Sequence, residues 1–112
     1  MEWKDKRKKE IDVLFNIIEE KYSVDKAALL KKDRKKRKIL LRRIFMNIIF
    51  DFFYVEDQMT HNEIAEIVER DRASFIHHRK QHLNIYGTYK DYKEEYDIIK
   101  GEFQEKTKNQ DY

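Results

Sequence analysis

The sequence predicts an all-α fold: one domain, residues 1–112, of about six helices. Three observations predict it. Apolar residues recur at spacings of three and four instead of alternating. Helix breakers are scarce, with no proline and two glycines in 112 residues. Charged residues make up 42% and aromatic residues 13%, which supplies amphipathic helices with a hydrated outside and bulky groups for one modest core. The same composition sets other classes aside. With no cysteine there is no disulfide framework and no thiolate-bound metal, and a reducing cytosol fits. No apolar run approaches the ~20 residues that span a bilayer, and the charged start lacks a signal-peptide profile. A cytoplasmic protein is the expectation.

Ile11, Leu14, Phe15, Ile18 and Tyr22 form one stripe on a first helix over about 4–21. Ser23 is a candidate cap for a short second helix ending at Leu30, with Ala27, Leu29 and Leu30 as its buried side. A long third helix starts within Lys31–Lys38 and runs to about Tyr54. Its apolar residues, from Ile39 to Phe53, fill more than one stripe, so it is expected to be central. Thr60 and Glu63 make a capping box for the fourth helix, with Met59 and Ile64 as a hydrophobic staple. Its apolar face, Ile64, Ala65, Ile67 and Val68, ends at a polar break, Glu69–Arg70. Asp71 can cap a fifth helix over about 72–83, with Phe75, Ile76 and Leu83 as its apolar side. Gly87 marks a turn. A last helix from about Tyr89 to Lys106 carries Tyr92, Tyr96, Ile99 and Phe103 on one stripe, followed by a few frayed residues.

The net charge of +3 hides a strong segregation. Residues 31–43 hold nine basic side chains and one acid, and residues 44–69 hold six acids and no base. Residues 70–82 are basic again, with four cations and one acid. If folding joins the two basic blocks, they make a positive face that concentrates polyanions. Two short helices joined by a tight break, the second polar and basic, describe a helix-turn-helix, whose second helix enters the major groove of DNA. In its first turn Arg72 can hold guanine O6 and N7, and Ala73 can touch a thymine methyl.

At these residues the chain resembles a known family. The stretch Ile64 to Lys80, I-A-E-I-V-E-R-D-R-A-S-F-I-H-H-R-K, is similar to the signature of the C-terminal DNA-binding domain of the bacterial replication initiator DnaA, roughly I-G-x-x-F-G-G-R-D-H-T-T-V-L-H-A. Leu29-Leu30 and the basic run to Lys38 resemble that family's leucine pair and basic loop. The resemblance covers about 11–83, leaving 84–107 as an additional C-terminal helix. It implies a Trp-repressor-like helix-turn-helix that reads duplex DNA through the major groove, with a basic-loop arginine in the minor groove. Arg70 and Asp71 match the family's Arg-Asp pair, Ser74 its second threonine and His77 its later histidine. Arg34 takes the place of the minor-groove arginine, and Arg42 that of a phosphate-contacting arginine. Arg72 and Ala73 replace the family's base-reading histidine and first threonine, and Glu69 stands where it has two glycines. The binding mode carries over, whereas the preferred sequence does not.

The expected DNA contacts are thus Arg34, Lys35, Lys36, Arg37, Arg42 and Arg43 in the upstream block, and Arg70, Asp71, Arg72, Ala73, Ser74, His77, His78 and Arg79 around the second helix. A bacterial, phage or mobile-element origin, association with the nucleoid, and a role in replication or transcription follow from the same resemblance. No phosphate-binding G-x-x-x-x-G-K-[ST] loop occurs, so the initiator's ATPase is not expected. His78 and His82 have zinc-compatible spacing but no third ligand, and no nucleophile has the neighbours catalysis requires. No metal, no cofactor, no small-molecule substrate and no enzyme activity are expected. The competing reading is a protein-interaction module or dimeric adaptor. In it the Tyr92–Phe103 stripe pairs with a partner or a second copy instead of with Ile11–Ile18 of its own chain.

Overall fold

Six α-helices and no strand run through residues 3–54 and 58–108, the part of the chain that the computed structural model describes. They are α1 (Trp3–Tyr22), α2 (Lys26–Leu30), α3 (Lys36–Phe53), α4 (His61–Ile67), α5 (Arg72–Tyr86) and α6 (Lys90–Lys108). The frayed end expected after Lys106 falls on residues 109–112, outside the described residues. No helix among the described residues is long and apolar enough to cross a membrane.

α3 is central because it is apolar nearly all round. Leu41, Ile44, Phe45, Met46, Ile48, Ile49 and Phe53 are all buried, and α1, α2, α4 and α5 pack around them. Burying an aliphatic or aromatic side chain of this size contributes ~1.5–3 kcal/mol. Phe15 of α1 meets Phe45 with ring centroids 4.3 Å apart. α6 lies along α1, and its stripe Tyr92, Tyr96, Ile99 and Phe103 is buried inside the chain. Phe103 sits edge-on to Phe52 at 4.9 Å, and Lys21–Glu102 and Lys106–Glu20 ion pairs of 2.9 and 3.4 Å flank the seam. The stripe that the competing reading gives to a partner or a second copy is thus used within the chain.

Local signals set several boundaries. Thr60 and Glu63 form the reciprocal capping box, with Met59 and Ile64 both fully buried beside it. Asp71 accepts from the Ser74 N–H at 2.8 Å and starts α5. Three expectations are corrected. Ser23 does not cap α2; Asp25 does, accepting from the Ala28 N–H at 2.8 Å, while Ser23 takes the left-handed backbone (φ 59°) that ends α1. Ala27 is exposed, leaving Leu29 as the buried anchor of α2. On α5, Ile76 and Leu83 face solvent at 39% and 61% exposure, and the inward face is Phe75, His78 and His82.

Candidate nucleic-acid interface

The turn from α4 to α5 is a Schellman ending. The Arg70 N–H reaches the Ala65 carbonyl at 2.9 Å, and the Glu69 N–H reaches that of Glu66 at 2.9 Å. Glu69 stands in the left-handed region, φ 55°, a conformation glycine adopts at little cost and other residues at roughly 1–2 kcal/mol. Two residues later Asp71 caps α5, so the two helices join with almost no slack.

Arg70 ties this turn to the basic segment. Its Nη1 donates to the carbonyls of Leu30 and Val68, each at 3.1 Å, and its Nη2 to that of Lys31 at 3.2 Å. Arg42 fastens the same segment from below. Arg42 as a residue is 4% exposed, and its guanidinium donates to the carbonyls of Leu29 (2.8 Å), Lys31 (3.3 Å) and Asp33 (3.3 Å). Burial, with Arg70 close by, lowers its pKa from the usual arginine range, partly offset by Asp33. Asp33, the one acid of the block, accepts from the Lys35 N–H and the Lys38 ammonium, at 3.3 and 2.9 Å, and so organises the start of α3.

A polar ladder fixes the roll of α5 on α3. Arg43 Nε donates to His78 Nδ1 at 3.1 Å. Asn47, one turn on, donates to the Arg43 carbonyl at 2.8 Å and accepts from Arg79 at 2.9 Å. Arg79 also lies over the Phe50 ring, 4.2 Å from its centroid, and pairs with Asp51 at 3.5 Å. Asp51 receives the Tyr96 hydroxyl at 2.6 Å and Lys100 at 3.3 Å, which ties α6 to the same ladder.

These contacts sort the expected DNA-binding residues. Arg34, Lys35, Lys36 and Arg37 are exposed; Arg37 lies over the Tyr22 ring, and none of the four has a salt bridge among the described residues. Arg72, Ala73 and His77 are exposed on the outward side of α5, joined by Lys80, and Ser74 is half-buried. Arg42 and His78 are corrected: both are buried with their polar atoms engaged inside the chain, so neither is free to meet a phosphate. Arg43, Arg70 and Arg79 are half-buried and hold the ladder or the loop, and Asp71 is committed as a cap. They position the surface. Arg42 shares a face with Phe45, Met46 and Ile49, and His78 with Phe75 and His82, so both turn inward with the sides their helices bury.

The two inward histidines are neutral. His78 is pushed down to about 4 by burial, helped by the Arg43 charge, and His82 to about 4 by burial, with Arg79 adding to it. His82 Nδ1 and the Tyr92 hydroxyl lie 2.8 Å apart, which closes α5 onto α6. A histidine in the unfolded chain takes its proton near 6.5, whereas these two resist to about 4. Their contribution to stability is therefore full above pH 6.5 and falls as the pH drops toward 4. Urea midpoints measured between pH 7 and pH 4.5 should decline, and less steeply in a His78→Gln/His82→Gln variant. An equal slope in that variant would deny the histidines this role.

Comparison with models of known protein families, with curated proteins and with solved structures found no match.

Proposed function

We propose that the protein binds double-stranded DNA, with α5 in the major groove and the segment Lys31–Arg37 on phosphates and the adjoining minor groove. The reading includes a regulatory role in transcription or replication. One observation carries it: the Arg70 guanidinium holds the carbonyls of Leu30 and Lys31, so the basic segment starts beside the turn that launches α5. Arg34, Lys35 and Lys36 on that segment and Arg72 and Lys80 on α5 are all exposed, which supports the reading of one positive surface across the turn. Such a surface is suited to a regular array of phosphates. The likeness of 64–80 to the initiator signature supports the same mode, and the changes at Arg72 and Ala73 imply a different preferred site.

Binding of a labelled random duplex, followed by anisotropy against salt, tests the proposal; no salt-sensitive binding would refute it. Within it, Arg72 is assigned to base reading. Arg72→Ala should cut discrimination between preferred and random duplex by about tenfold, the scale of one bidentate base contact, with a smaller loss on random duplex. Equal losses on both would make Arg72 a phosphate contact only.

A further inference from the structure

The outward face of α5 has a composition that charge attraction does not explain. Ala73, Ile76, Lys80 and Leu83 follow one another at spacings of three, four and three, with Arg72 and His77 beside them. Ile76 is 39% exposed and lies within the first turn and a half of the helix, between two exposed cations, Arg72 and Lys80. Its neighbours Phe75 and His78 take the buried side, so Ile76 cannot turn inward without rotating the whole helix off its ladder to Arg43 and Asn47.

We propose that Ile76, with Ala73 one turn earlier, reads the 5-methyl group of a pyrimidine in the major groove. This rests on the DNA-binding reading above. An apolar group flanked by Arg72 and Lys80 faces whatever those cations attract. On a duplex, the apolar group that the major-groove edge of a base pair offers is the C5-methyl of thymine. Ile76 stands one turn beyond the base-reading position of Arg72, roughly 6 Å along the helix axis at 1.5 Å per residue. A β-branched side chain with one preferred χ1 rotamer in a helix presents its methyl groups to the groove with little entropy left to lose. The surface therefore favours a site with a thymine, or a 5-methylcytosine, one or two base pairs from the Arg72 contact.

Duplexes recovered from a random pool by the wild-type protein provide the test. Each thymine in them is replaced in turn by deoxyuridine, which keeps the base pairing and removes only the methyl. At one or two positions the wild type should bind about fourfold more weakly, the scale of one buried methyl group. Ile76→Ala should show no penalty at those positions, and Ile76→Val should retain it, with circular dichroism confirming equal helix content. Salt-sensitive binding with no deoxyuridine penalty would overturn this inference alone and leave the DNA reading standing. A penalty that persists in Ile76→Ala would likewise remove Ile76 from the contact. No binding to any duplex would overturn both.

Discussion

Replacing Arg34, Lys35, Lys36 and Arg37 together by alanine is expected to weaken duplex binding about a thousandfold near physiological salt. Each phosphate neutralised adds ~0.9 to the slope of log affinity against log salt, so four lost contacts remove ~3.6. A surface engaging about five phosphates has a slope near −4.5, and the variant should fall to about −1. Arg37→Ala alone should weaken all sequences alike and flatten the slope by ~0.9. The fold should be untouched, since all four side chains are exposed and none has a salt bridge among the described residues, Arg37 resting over the Tyr22 ring. Anisotropy titrations from about 50 to 300 mM salt, over which the Debye length falls from about 1.7 to about 0.7 times its value at 0.15 M, measure both effects. An unchanged slope would mean that this segment does not touch the polyanion.

Arg42→Met should cost stability instead, by about 3 kcal/mol, because three carbonyls lose a buried charged donor. Arg42→Lys should not restore it, since one ammonium cannot reproduce the planar fork that spans Leu29, Lys31 and Asp33. The urea midpoint gives the energy, and amide exchange at 29–35 shows whether the basic segment comes loose. A midpoint within experimental error of the wild type would assign the clamp to Arg70 alone.

What the sequence made legible was whatever is decided locally. The capping box at Thr60 and Glu63 and the cap at Asp71 each depend on residues within one turn, so spacing suffices to find them. The stripe Tyr92–Phe103 was legible because it is long and regular. The orientation of α5 was not. Its apolar residues are few and lie on both sides, and the inward side is chosen by Arg43, Asn47 and Asp51 on a helix some thirty residues earlier. Histidines then go inside while Ile76 and Leu83 stay out. Arg42 and Arg70 were read as charges facing outward because they belong to basic runs. Their guanidinium groups instead satisfy carbonyls that the short α2 and the segment after it leave unpaired, a need visible only once the backbone path is fixed. At α2, Ser23 and Asp25 are both competent caps two residues apart, and the end of α1 claims the first.

Asp51 has a practical consequence for anyone seeking a minimal version of this protein. Its carboxylate takes Arg79 from one neighbouring helix and Tyr96 and Lys100 from another, while Phe103 closes over Phe52 beside it. The final nineteen-residue helix is consequently a brace and not an appendage. A fragment cut at Gly87 would uncover the side of α1 that packs on α6 and leave Asp51, the partner of Arg79, without Tyr96 and Lys100 to fix it, so trimming the chain to its recognition motif would yield a sticky, poorly aimed product.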